Sequence, residues 1–92
     1  MNYRIRYSKR ISWKEFQHTS SSDRARIRSA IEERLCTRPD LFGKPLRRSL
    51  KGCRSLRVED YRIVYRITGM HVDILAIAHR STVYDHLERR LP

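Results

Sequence analysis

The sequence predicts an α+β domain: a small, mostly antiparallel sheet in the order β-α-α-β-β-β, with a short C-terminal helix and the helices on one face. Three observations carry this. The stretch "YRIRYS", residues 3 to 8, sets Tyr3, Ile5 and Tyr7 to one side and Arg4 and Arg6 to the other, the period of a half-buried strand. "RARIRSAIEERLC", residues 24 to 36, gathers Ile27, Ala30, Ile31 and Leu35 on one helical stripe and leaves the charges elsewhere. "CRSLRV", "YRIVYRI" and "HVDILAIA" are dense in β-branched and aromatic residues and are separated by short turns, so they read as three strands. Strands that follow helices in a block place the helices on one side of one sheet.

Taken in order, the first strand is followed by "SKRISWKEFQH", where Ile11, Trp13 and Phe16 predict a short helix. "TSSSD" supplies residues that cap the next helix. Pro39 marks its end, because a residue before proline avoids helical angles. The two helices are expected to form a hairpin. "DLFGKPLRRSLKG" reads as a loop punctuated by Gly43, Pro45 and Gly52. Turns at Glu59-Asp60 and Thr68-Gly69-Met70 make the last three strands a meander. The first strand then joins the sheet after a helical excursion, in a parallel pairing with a later strand. In "STVYDHLERRL", Val83, Leu87 and Leu91 recur at helical spacing. The 92 residues, 1–92, are expected to form a single domain.

Charge is the strongest global signal. Lys and Arg number 21 against 10 Asp and Glu, a net charge of +11, and such an excess attracts polyanions. Arginine greatly outnumbers lysine, and its fork binds phosphate bidentately where lysine offers a point charge. The bases are not confined to one face of an amphipathic helix, which argues against a membrane surface. No stretch has the apolar length of a membrane span, and the basic first residues lack the apolar core of a signal peptide. A cytoplasmic location is therefore expected. Cys36 and Cys53 have neither metal nor redox spacing and are expected to be free thiols; no metal or cofactor is expected.

A two-residue turn at Glu59-Asp60 pairs Val58 with Tyr61, Arg57 with Arg62, Leu56 with Ile63 and Ser55 with Val64. Leu56, Val58, Tyr61, Ile63, Tyr65 and Ile67 then form the core face. The opposite face carries Ser55, Arg57, Arg62, Val64 and Arg66, and is expected to be open. Like charges directly opposite destabilise a hairpin, so Arg57 and Arg62 are either screened by salt or share an anion. Lys44, Arg47, Arg48 and Lys51 in the preceding loop rim this face, and Arg54 adds to the basic surface. His79 and Arg80 close the last strand and Tyr84 follows. A basic sheet face rimmed by basic segments is the electrostatic footprint of a nucleic-acid binder.

"LKGCRSLRVEDYRIVYRI" followed by "ILAIAHRSTVY" resembles the C-terminal half of the RelE/ParE superfamily of bacterial toxins. The likeness by motif covers roughly residues 44 to 84. It implies a microbial RNase-like RelE fold and two partners, a cognate antitoxin protein and, for the RelE branch, the ribosome with its mRNA. That branch cuts mRNA in the ribosomal A site, using the RNA 2′-hydroxyl as nucleophile and no metal. The ParE branch instead inhibits DNA gyrase. The "HR…VY" ending looks more like RelE. The resemblance then implies a phosphate-binding role for Arg62, phosphate or leaving-group stabilisation for Arg80, and stacking or orientation of substrate for Tyr84. Where RelE members carry two lysines flanking an apolar residue, this chain has Ser55-Leu56-Arg57. Arg57 keeps one charge but is a poor base, so His79 acts as base or acid, or electrostatic stabilisation carries most of the rate. A non-catalytic basic RNA- or ribosome-binding module is the further alternative.

Overall fold

A computed structural model of the chain describes residues 2–9, 11, 16–17 and 19–79, apart from the side chain of Ser49. Strand β1 (Arg4–Tyr7) leads to helix α1 (Ser21–Ala30), which continues into a wider helical turn over Ile31–Leu35. The expected cap is present: the Ser20 hydroxyl accepts the Asp23 N–H at 3.2 Å, satisfying an N-terminal donor that the helix itself cannot. At the other end the Cys36 N–H reaches back five residues to the Ile31 carbonyl at 3.1 Å, so the last turn is widened. The predicted helix spanning 8–18 falls largely outside the described residues, Trp13 included. Ile11 is nevertheless buried and Phe16 packs on the core.

Pro39 does not only end α1. It opens a second short helix, α2 (Pro39–Phe42), at the first-turn position where its missing N–H costs nothing. The stretch read as loop then contributes strand β2 (Lys44–Pro45) and a single 3-10 turn over Arg48–Leu50. Strands β3 (Arg54–Val58), β4 (Tyr61–Thr68) and β5 (His71–His79) follow as the expected meander. The sheet therefore has five strands, in the order β1-β5-β4-β3-β2, with β1 parallel to β5 and the other pairs antiparallel. The predicted C-terminal helix lies outside the described residues. Among them, no helix is long and apolar enough to cross a membrane.

The main core lies between α1 and one sheet face. Ile27, Ala30, Ile31 and Leu35 pack on Leu56, Val58, Ile63, Tyr65, Val72, Ile74 and Ile77. Leu35, Ile63, Tyr65 and Ile74 are fully buried, and each such side chain contributes about 1.5–3 kcal/mol by leaving water. Tyr65 keeps its hydroxyl satisfied by donating to the Pro39 carbonyl at 2.6 Å. Gly43 lies so close that a Cβ there would stand 2.7 Å from the Tyr65 ring, so glycine is required at this approach.

The opposite face is not open along its length. Leu46, Leu50 and Cys53 fold down over Val64, Leu75, Ala76 and Ala78 and form a small second core. The loop is closed at its neck by the Leu46 N–H on the Cys53 carbonyl at 2.9 Å. Sequence reading misses this because Leu46, Leu50 and Cys53 are scattered among basic residues without strand or helix period. The register of β4 on β5 shifts between Val64 and Tyr65, which pair with Ala76 and Ile74 and leave Leu75 as an extra residue. Such a bulge reverses which face later residues occupy.

Candidate nucleic-acid interface

Directly paired residues on neighbouring strands share a face, so the register assigns the second face row by row. Arg57, Arg62 and Ala78 form one row across β3, β4 and β5. Lys44, Ser55, Val64 and Ala76 form the next. Beyond the bulge come Arg66, Asp73 and Arg6, then Thr68, His71 and Arg4. Asp73 is the one carboxylate in the five strands, so the face is strongly basic.

Arg57 and Arg62 face each other as direct partners. Arg62 is half-buried and Arg57 exposed. The Arg57 Nε donates to the Glu59 carbonyl at 3.1 Å, which turns its guanidinium along the hairpin. Glu59 sits in the left-handed region, at φ 54°, and its carboxylate lies 3.6 Å from Arg26 on α1. That ion pair ties the hairpin tip to the helix. Ala78, the partner of Arg62 on β5, is buried at the edge of the second core, so the row runs from two guanidinium groups into that apolar cluster.

The other expected site residues divide by placement. Lys44 is exposed and pairs directly with Ser55, which puts it diagonal to Arg57, about 7–8 Å away on the same face. Arg47, Arg48 and Lys51 are exposed on the loop that covers the middle of this face. Arg66 lies on the face, with a terminal nitrogen 3.6 Å from the Cys53 Sγ. Arg54 does not join them. It pairs with Tyr65 on the helix side and donates to the carbonyls of Asp40 (2.8 Å) and Gly43, so its cation holds the α2–β2 corner. His79 also stands on the helix side, opposite Tyr61, with the two rings edge-on at 5.8 Å between centroids. The bulge at Leu75 separates it from the Arg57/Arg62 pair. Arg80 and Tyr84 lie outside the described residues.

Sequence reasoning misses Arg4, Arg6 and His71 as members of this face. The alternation in "YRIRYS" puts both arginines on one side, but only the parallel pairing with β5 shows where that side points. Arg6 binds Asp73 through two nitrogens, Nε at 2.6 Å and a terminal nitrogen at 3.1 Å, and Thr68 donates to the same carboxylate at 3.0 Å. These bonds hold the Asp73 carboxyl below its usual range. Both cysteines are free; burial of the Cys53 side chain makes it part of the second core, and partial burial pushes the Cys36 thiol up.

Comparison with known proteins agrees with this architecture. A family described as "ParE toxin of type II toxin-antitoxin system, parDE" matches residues 10–84. Toxin RelE of Mycobacterium tuberculosis is 48% identical over 52 residues, which cover 54% of this chain and 54% of that protein. The match thus spans about half the length of that curated relative. In the solved toxin–antitoxin complex RelBE2 of Mycobacterium tuberculosis, a chain 30% identical superposes with a TM-score of 0.77 over 87% of this chain and 100% of its own length. A mutant of Escherichia coli toxin RelE in the free state superposes with a TM-score of 0.75 over the whole of both chains, at 21% identity, and shares the fold. Matched by the family over most of its length and by RelBE2 in both fold and sequence, the chain belongs to the RelE/ParE superfamily of type II toxin–antitoxin toxins.

Proposed function

We propose that this toxin is a ribosome-dependent mRNA endonuclease whose scissile phosphate sits between Arg57 and Arg62. The observation that carries the reading is their direct pairing across β3 and β4. Like charges on directly paired residues repel unless an anion is shared between them, and a phosphate accepts hydrogen bonds from two arginines.

The reaction needs little else from the protein. The 2′-oxygen of the RNA attacks the adjacent phosphorus, the bond to the 5′-oxygen breaks, and a 2′,3′-cyclic phosphate and a 5′-hydroxyl result. The 2′-proton passes to a base and the 5′-oxygen receives a proton. Arg57 and Arg62 stabilise the charge that builds on the phosphorane oxygens, the kind of fixed electrostatic contribution that dominates many such sites. Arginine does not shed a proton at neutral pH, so it is no base. Lys44, diagonal to Arg57 on the same face, is the lysine that the strand register brings toward the pair. Arg80 and Tyr84 are assigned leaving-group stabilisation and base stacking by resemblance to the RelE branch. The ribosome orders the mRNA for in-line attack, which supplies the orientation that a small open face lacks. Lys44, Arg47, Arg48 and Lys51 contact RNA phosphates around the site.

The partner that restrains the toxin is a cognate antitoxin protein, a role supported by the RelBE2 complex among its relatives. A second reading, inhibition of DNA gyrase without cleavage, is favoured by the ParE description of the matching family. Expression in a bacterial host with mapping of transcript ends separates them. Cuts within translated frames that vanish with Arg62→Ala establish the nuclease. Growth arrest with intact messages and DNA-damage signalling establishes the gyrase reading instead.

A further inference from the structure

We propose that the far end of the same sheet face, at Arg4 and Arg66, is a second RNA-phosphate contact, distinct from the Arg57/Arg62 site. The inference rests on reading that pair as an RNA site and extends it across the sheet. Arg66, Asp73 and Arg6 form one row, and Thr68, His71 and Arg4 the next. The single carboxylate here is already occupied from both sides, by the Arg6 fork and by the Thr68 hydroxyl. Arg6 is thereby neutralised. Arg66 is the direct cross-strand partner of Asp73 on the other side, yet its guanidinium reaches the Cys53 sulfur, a weak acceptor. Arg4 is exposed at the end of its row. Among the described residues, neither Arg4 nor Arg66 pairs with a carboxylate. Two uncompensated forks therefore stand on one face.

Arg66 lies four residues along β4 from Arg62, about 13 Å, and Arg4 lies two strands away from β4, about 10 Å to the side. No single phosphate bridges the pair at Arg57/Arg62 and this end. A polyanion with regularly spaced charges does, passing the exposed Arg48 and Lys51 on the intervening loop. The fork itself binds carboxylate and phosphate alike, and it is the regular spacing of charges along a nucleic-acid backbone that favours RNA over an acidic peptide.

The test is the salt dependence of binding of the full chain to a labelled single-stranded RNA 12-mer, with an RNA duplex of equal length in parallel. Arg4→Ala/Arg66→Ala is compared with Arg28→Ala/Arg34→Ala, which removes the same charge from the helix layer. Loss of two phosphate contacts flattens the slope of log K against log salt by about 1.4 for single-stranded RNA, while the helix variant keeps the wild-type slope. A change confined to the duplex still supports the contact but assigns it to structured RNA. Equal flattening by both variants overturns the proposal in favour of diffuse attraction. An unchanged slope with weakened antitoxin binding overturns it in favour of an acidic protein segment. Circular dichroism confirms that each variant folds. Because binding is read without cleavage, a wild-type chain that binds through Arg4 and Arg66 but cuts no message refutes the nuclease reading and leaves this contact standing.

Discussion

At the scale of single residues, the arginine pair and the glycine beside Tyr65 make opposite demands. Arg62→Ala leaves the main core untouched, since Arg62 stands on the sheet face away from it. Its cost is expected in catalysis, a loss of about 10²–10³ in single-turnover cleavage on programmed ribosomes, the effect of removing one fixed charge donor. Lys44→Arg keeps the charge and removes the readily transferred proton. A rate that falls with Arg as much as with Ala makes Lys44 a proton-transfer group, and full activity of Lys44→Arg makes it a phosphate contact only. Gly43→Ala acts on stability instead. The added Cβ overlaps the buried Tyr65 ring, and such overpacking costs about 1–3 kcal/mol. Tyr65→Phe removes the hydroxyl that lies nearest that Cβ, so the double variant should lose less than the sum of the two single losses in urea denaturation.

At the scale of elements, the edge strand β1 depends on a polar clamp. Arg6 on β1 and Asp73 on β5 bind across the parallel pair, and the Arg6 hydrogen bonds are the main cause of the lowered Asp73 pKa. A carboxyl whose folded pKa is depressed stabilises the fold above its unfolded pKa, near 3.9, and loses that contribution as pH falls through the folded value. Wild type should therefore exceed Asp73→Asn in stability at neutral pH, and the gap should close below about pH 4. Parallel urea titrations across this range check it, and a pH-independent gap refutes the linkage. The β3–β4 turn is a second element with a local cost. Glu59 adopts a left-handed φ of 54° without being glycine, a conformation that costs about 1–2 kcal/mol. Part of that strain is held by the hairpin register and by the Arg26 contact at 3.6 Å.

At the scale of the molecule, a net charge of +11 on a body 33 × 30 × 21 Å across repels itself. At about 0.01 M salt the screening length is about 30 Å and spans the whole molecule, while at about 0.15 M it shrinks to about 8 Å. Thermal stability should therefore rise between these salt concentrations, while RNA binding weakens. A melting temperature that falls with added salt would show that surface ion pairs outweigh the self-repulsion. Neutralisation by the proposed antitoxin should have the same stabilising direction as salt.

Much of the fold is legible in the residues themselves. A hydrophobic stripe on α1, a two-residue turn and strict alternation in β3 and β4 determine the helix, the hairpin and the Arg57–Arg62 pairing, because these are local periodicities tied to one turn length. What the tertiary structure alone decides lies where period fails. Lys44–Pro45 is too short to show alternation, and Leu46, Leu50 and Cys53 become a second core only when folded onto Val64 and Ala76. Arg54 looks like its basic neighbours but spends its guanidinium on two backbone carbonyls. In β5, alternation carried on from Val72 and Ile74 would place His79 beside Arg62. One extra residue at Leu75 reverses that parity and sets His79 against Tyr61 instead. A bulge has no signature in hydrophobic alternation, because its position depends on which partner residues bond across the sheet.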